Sequence, residues 1–376
     1  MSGDYQKELL SRLELLLLPA MNSRRWRRLQ DCFGKSENIF SASVRDISVG
    51  ANIPLELAQE IVSRRGQKAA EEQWRKAEKS GIKILADFSA EFPPGLKDLS
   101  DCPPLIYLRG KISADIFRRP AIALVGTRRA SEYGRRLVRD FVRQLVDWQV
   151  LTVSGLARGI DTEVHQQTLN SAGITVAFVG CGLDIVYPPE NKKLFQKISE
   201  DGAIISEFPL GTAPLRENFP RRNRLIAAAS LATLVIEATA DSGALITARV
   251  AAELGREVMA VPGNVYSVTS AGTNRLLKDG AHLVTRPEEI EEILPAVQKW
   301  LKENPSARRQ ETAGNPSLTP EQNDIINILR ANPEGLSAAG ICQQLKFPES
   351  QIFSALLQLE LQGLILSRPG NVYILK

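Results

Sequence analysis

Guanidinium groups set beside glycine turns are the residues of this chain best suited to chemistry, and that chemistry is the holding of anions. The densest stretch runs from Phe219 to Ser230 as Phe-Pro-Arg-Arg-Asn-Arg-Leu-Ile-Ala-Ala-Ala-Ser. Pro220 suits the first turn of a helix, and Leu225 to Ala229 are apolar and mostly small, as in a helix packed closely by its neighbours. Arg221, Arg222 and Arg224 then crowd its N-terminal end. The helix dipole is already positive there and disfavours each cation by roughly 0.3–1 kcal/mol. Two answers stand open: internal pairing with Glu207, Glu217 or Glu237, or a phosphate bound from outside, which is the preferred reading.

Other segments offer the same equipment. In Val125-Gly-Thr-Arg-Arg-Ala-Ser-Glu-Tyr-Gly134, Gly126 lets backbone approach a ligand. Thr127 and a helix N-terminus near Glu132 give hydrogen bonds, and Arg128 or Arg129 adds a bidentate fork. In Ser154-Gly-Leu-Ala-Arg-Gly-Ile-Asp161, Gly155 and Gly159 permit a tight turn and Arg158 aims a further cation at the same edge. His165 follows Asp161 by one helical turn, so the two can hydrogen-bond. General base chemistry is imaginable, but no nucleophile is evident and a structural His–Asp contact is preferred. After Gly180-Cys-Gly-Leu-Asp184, Tyr187 either stacks on a base or packs in its loop, and Asn191 caps a helix bearing Lys192 and Lys193. Ser242 and Gly243 open a third anion-ready helix; Val261-Pro-Gly-Asn264 is again small and open. Phosphate-ready loops side by side describe a groove for a polymer, and single strands with exposed bases suit it better than a rigid duplex.

The elements that position these loops follow from periodicity. From Ala121 to about Thr285, short β-rich runs alternate with helical segments: 122–125, 151–154, 175–179, 203–206, 234–237, 257–261 and 281–284. That alternation predicts a parallel sheet covered on both faces, with ligands bound beyond the carboxyl ends of the strands. Runs at 82–85 and 105–108, separated by Pro93-Pro94 and Pro103-Pro104, lead into it. The fold class is therefore α/β: an extended Rossmann-like parallel sheet with an N-terminal helical module and a C-terminal winged-helix module. The domains expected are 1–78, helical; 79–295, the Rossmann-like domain; 296–317, a flexible linker; and 318–376, the winged-helix-like tail. Arg24, Arg25, Arg27 and Arg28 around Trp26 read as a solvated helix face. The tail's recognition helix, from Ser350, carries no Arg or Lys, which favours a protein or self-association role over duplex reading.

Composition narrows the classes. The chain has 376 residues, is 43% hydrophobic and has a formal net charge of +4, too mild to establish a nucleic-acid partner without the clustering of its arginines. Cys32, Cys102, Cys181 and Cys342 lack CxxC spacing and suggest buried thiols in a reducing, cytoplasmic compartment, with no metal site. Leu15 to Leu18 is too short for a membrane span or signal peptide. A dinucleotide site would want GxGxxG where Gly126-Thr-Arg128 stands, and a P-loop would want GxxxxGK[ST]. No cofactor is expected.

Taken together these motifs resemble the DNA processing protein A family, DprA or Smf, found in bacteria and tied to natural transformation. The resemblance rests on Val125-Gly-Thr-Arg128, Ser154 to Asp161 with His165, Gly180 to Asp184 with Tyr187-Pro188, Ser206-Glu207, Phe219 to Arg224, Glu237-Ala238, Ser242 to Thr247 and Val261 to Gly263. It covers roughly Ile82 to Thr285 specifically and the flanks more loosely. It implies a homodimeric Rossmann domain that binds single-stranded DNA, protects incoming strands and helps load the RecA recombinase. A sterile-alpha-motif-like module precedes that domain and a winged helix follows it. Thr127 stands where serine is common, and Glu190 puts a carboxylate beside a loop that often bears a lysine. The residues expected at the DNA are Gly126, Thr127, Arg128, Arg129, Ser154, Gly155, Arg158, Gly159, Lys192, Arg221, Arg222, Asn223, Arg224, Ser242, Gly243 and Thr247, none of them catalytic. The alternative is a nucleoside monophosphate hydrolase of the related lysine-decarboxylase-like group, with Glu237 as acid or base; its Pro-Gly-Gly-x-Gly-Thr loop is missing. A duplex-reading transcription regulator is weakened by the uncharged recognition helix.

Overall fold

Short runs of Val, Ile, Leu and Ala, with buried Thr and Ser among them, form strands that are hidden from water on both faces. In the computed structural model of the protein they make the centre of a nine-stranded sheet. The structure describes residues 3–111, 114–307, 318–332, 334–345, 347–361, 363–368 and 370–375. Two compact units divide the chain, Met1–Arg308 and Arg309–Lys376.

The first unit opens with α1 (Gly3–Leu16), α2 (Ser23–Phe33), α3 (Ser36–Ser41), α4 (Val44–Gly50), α5 (Leu55–Val62) and α6 (Gln67–Lys79). Trp26, Leu29, Ile39, Ile47 and Leu57 share one small core within it. Of the basic residues of α2, Arg24, Arg27 and Arg28 are exposed and Arg25 is half-buried; Arg27 also donates to the Ser100 carbonyl at 2.6 Å and Arg28 to that of Asn52 at 3.0 Å. Cys32 is exposed, against the expectation of a buried thiol.

Then come β1 (Lys83–Ala86), β2 (Leu105–Gly110), β3 (Ala121–Val125), α7 (Glu132–Asp147), β4 (Leu151–Ser154), α8 (Ile160–Asn170) and β5 (Thr175–Phe178). They are followed by α9 (Lys192–Asp201), β6 (Ala203–Ser206), α10 (Asn218–Ala228), β7 (Ala232–Val235), α11 (Gly243–Glu253), β8 (Glu257–Ala260), α12 (Ala271–Lys278) and β9 (His282–Leu283). The sheet order is β1-β2-β6-β5-β4-β3-β7-β8-β9. From β6 to β9 the pairing is parallel, and β1 and β2 add an antiparallel edge. After β3 the chain winds to one side through β4, β5 and β6, then returns to place β7 on the other side. That reversal is the switch point where open sheets form a crevice.

α13 (Glu289–Ile293) and α14 (Pro295–Glu303) close the unit. Residues 296–307 were expected in a linker, but Val297, Leu301 and Ala307 are buried in one of the sheet's cores, and Trp300 Nε1 donates to the Trp148 carbonyl at 2.9 Å. The rest of the expected linker, 308–317, lies outside the described residues. The second unit holds α15 (Pro320–Ala331), β10 (Leu336–Ser337), α16 (Ala338–Gln344), α17 (Glu349–Leu361), β11 (Ile365–Arg368) and β12 (Val372–Leu375), a winged-helix arrangement with strand order β10-β12-β11. Thr319 and Gln322 form a capping box at the start of α15. Among the described residues no helix is long and apolar enough to cross a membrane.

Candidate nucleic-acid interface

Each wall of the crevice is the end of a strand or the start of a helix. The loop after β3 carries Gly126 to Ala130 into α7, whose N-cap Ser131 accepts the Gly134 N–H. The Thr127 N–H donates to the Glu237 carbonyl at 2.8 Å, and Thr127 Oγ1 accepts from the Arg129 N–H at 3.2 Å, so both arginines leave a braced turn. Opposite, Ser242 caps α11 and α10 enters through Phe219 and Pro220. Between them lies a cleft of about 920 Å³.

The cleft is lined by Gly126, Thr127, Arg128, Arg129, Arg222, Asn223, Ser242, Gly243 and Thr247, all expected from the sequence, and by Ala157, Asp161, Tyr187, Arg216, Phe219 and Asp241. Arg128, Arg129 and Arg216 are exposed and have no carboxylate partner among the described residues. Arg128 lies over the Phe219 ring, 5.5 Å from its centroid, and Tyr187 packs against the same ring at 5.5 Å. Tyr187 thus both packs in its loop and faces the cleft.

Arg222 is only 4% exposed. Its Nη1 donates to the carbonyls of Gly155 and, at 2.5 Å, Phe178, while Nε donates to Asn223 Oδ1 at 3.1 Å. Burial pulls its pKa down to about 10, opposed by the Asp161 carboxylate, so it remains a cation inside the wall. Asp161 accepts the Gly155 N–H at 3.1 Å and the Ala157 N–H at 3.4 Å. Burial pushes its pKa up in spite of Arg222. The expected His165–Asp161 contact is not formed. His165 Nδ1 instead shares a 2.7 Å hydrogen bond with Thr175, and Nε2 accepts the Leu156 N–H at 3.3 Å. Burial, with Arg222 nearby, pulls His165 down to about 3. A neutral imidazole sealed at 0% exposure is a structural group.

Seven expected residues do not line the cleft. Ser154 is buried and donates to the Leu124 carbonyl at 2.7 Å. Gly155 and Gly159 serve packing instead of ligand approach: a Cβ on Gly155 would meet Arg222 Nη1 at 2.3 Å, and Gly159 sits at φ +78° against the Thr127 carbonyl. Arg158 is engaged by Glu190. Lys192 is exposed on α9. Asn191 does not cap that helix with its side chain but donates to the Leu156 carbonyl and Thr162 Oγ1. Arg224 is paired with Glu207 and, at 3.3 Å, with Asp101; Arg221 stands 3.9 Å from Glu207 and over the Phe208 ring. Both line a separate cavity. Internal pairing with Glu207, the other option left open for this cluster, is what these two residues adopt.

Comparison with known proteins follows the same geography. Residues 83–295 match the family model of the DNA recombination-mediator protein A, and residues 309–371 match a DprA winged helix domain. Protein Smf of Escherichia coli (strain K12) is 38% identical over 297 residues, covering 77% of this chain and 76% of that one. The chain belongs to the DprA/Smf family. Among solved structures, DNA processing protein A of Streptococcus pneumoniae superposes with a TM-score of 0.67 at 29% identity, over 75% of this chain and 97% of that one. DNA processing protein A of Helicobacter pylori, described for its unique single-stranded DNA binding mode, gives a TM-score of 0.52 at 28% identity, over 59% of this chain and 96% of that one.

In this DprA/Smf chain the residue-by-residue reading missed Arg216 and Phe219 as cleft residues. Arg216 precedes the helix, beside Glu217, and nothing in its spacing ties it to the sheet edge. Phe219 opens the most conspicuous motif, in which the cations behind it dominate the pattern. The signal that was available is chemical: a groove for exposed bases needs an aromatic face as well as charge.

Proposed function

We propose that this chain holds single-stranded DNA in the cleft at the switch point of its sheet. In this reading it protects incoming strands during natural transformation and helps load RecA from a cytoplasmic homodimer. The observation that carries it is the charge imbalance of the cleft. Arg128, Arg129 and Arg216 are exposed without carboxylate partners among the described residues, above the buried cation of Arg222 and beside the Phe219 ring. Phosphates answer the cations and a base answers the ring. The kinship with a Helicobacter pylori protein described for single-stranded DNA binding supports the ligand. RecA loading and the homodimer rest on the family resemblance.

The test is affinity as a function of salt. Log affinity should fall against log salt with a slope of about −0.7 for each phosphate neutralised on a single strand. Arg128→Ala or Arg216→Ala should weaken binding by about 1–3 kcal/mol and flatten that slope by about one contact. A folded double variant with wild-type affinity and slope would remove the cleft from consideration.

The protein acts without catalysis in this reading. The alternative needs Glu237 free, whereas its carboxylate accepts the Ser131 N–H, the Ser131 hydroxyl and the Thr269 hydroxyl, and the residue is 2% exposed. Release of free base from nucleoside monophosphates incubated with the protein would reverse the ranking.

A further inference from the structure

Past the cleft the same rim carries an apolar row that the fold leaves uncovered. β8 lies two places from β3 in the sheet order. The loop that follows β8 therefore opens on the same edge, about 10 Å along, at a strand spacing of roughly 4.8 Å. At its tip Tyr266 is 93% exposed, flanked by Val265 at 80% and Val268 at 73%.

The tip is an ordered turn. Asn264 Oδ1 accepts the Tyr266 N–H at 2.9 Å, and the Ser267 N–H donates to the Asn264 carbonyl at 2.9 Å. Asn274 fixes the base of the loop, accepting the Gly263 N–H at 3.2 Å and donating to the Gly263 carbonyl at 3.0 Å. From the first turn of α7, Tyr133 donates its hydroxyl to the Pro262 carbonyl at 3.0 Å while remaining 49% exposed. An aromatic thus joins the arginine loop to the Tyr266 turn.

Charge tells what this row meets. Residues 262–274 contain no lysine or arginine, and the exposed Asp241 stands on the neighbouring loop. A phosphate is unwelcome there, whereas a neutral base face is well served by an exposed ring. The geometry points to a base-stacking platform: the single strand leaves the phosphate-holding cleft across the ends of β7 and β8, and its bases stack on Tyr266 with Tyr133 beside it. The platform rests on the single-strand reading above and extends its site by an element that recognises bases instead of backbone.

The experiment compares the full chain with Tyr266→Ala and Tyr266→Phe, substitutions at a solvent-facing side chain that the core does not use. Fluorescence anisotropy is measured on single strands of one length, with an abasic site moved along them one nucleotide at a time. The wild-type chain should lose about tenfold in affinity when the abasic site reaches the platform, the loss of one base–aromatic stack. Tyr266→Ala should show that loss on intact DNA and become indifferent to the abasic site, at an unchanged salt slope. Tyr266→Phe should behave as wild type. Wild-type affinity and abasic pattern in Tyr266→Ala overturn the platform. A fall in the DNA-free protein's mass by light scattering, with the abasic pattern unchanged, also overturns it and marks the row as a contact between copies. A wild-type chain that binds no single strand sinks the earlier reading itself, so the two failures are distinguishable.

Discussion

Arg221, Arg222 and Arg224 sit within one turn of α10 and meet two different fates. Positions three apart share a helix face while adjacent positions point about 100° apart. Arg221 and Arg224 accordingly both approach Glu207, and Arg222 turns into the cleft wall. Crowding along the sequence was legible; its division in space was not, because Glu207 lies on a strand-end loop that only the folded sheet brings alongside. The buried His165 carries a prediction at this scale. Its folded pKa of about 3 lies below its ordinary 6.5, so the unfolded chain takes up a proton at a higher pH than the native one. The stability it contributes is fully present above pH 6.5 and is lost as pH falls toward 3, by up to about 1.4 kcal/mol per pH unit. Asp161, whose pKa is raised, works in the opposite sense, so the variant must be compared with wild type. Urea unfolding at pH 7 and pH 5 should show wild type losing about 2 kcal/mol more than His165→Gln across that interval. Parallel losses would mean that the imidazole is not held neutral.

At the scale of elements, the end of β7 is where the rim is tied together. Glu237 holds Ser131 at the start of α7 and Thr269 in the loop after β8, while its own carbonyl accepts the Thr127 N–H. A Cβ on Gly134 would lie 2.1 Å from its Oε2, so the helix start is shaped around that carboxylate. Glu237→Ala leaves a half-buried N–H and two hydroxyls without their acceptor. It should lower unfolding free energy by about 3 kcal/mol and weaken single-strand binding by loosening the loop that bears Arg128. Unchanged stability in chemical denaturation would deny the clamp. The strands themselves were legible because burial on both faces leaves short runs rich in apolar and β-branched residues; β4 and β6 begin and end where those runs do. β7 was expected at 234–237 but runs Ala232–Val235. Glu237 leaves the strand to make the clamp. The helix at Pro295–Glu303 was hidden by its polar surface, since it buries only Val297 and Leu301.

For the whole molecule, the division of the chain at Arg308 separates two kinds of surface. The second unit has its own core of Ile325, Leu329, Ile341, Ile352, Leu356 and Leu359, so it does not need the sheet to bury its apolar residues. Its helix α17 holds no arginine or lysine and exposes Phe353 at 49% and Leu357 at 59%, an apolar pair four residues apart on one face. Neutralising phosphates takes cations, and this helix supplies none. A chain ending at residue 307 should therefore keep the affinity and the salt slope of the full protein for single strands, and residues 318–376 alone should bind neither single strand nor duplex. Competition anisotropy with both forms of DNA measures this directly. A shallower slope in the shortened chain, or duplex binding by the tail, would mean that phosphates are met outside the sheet's rim.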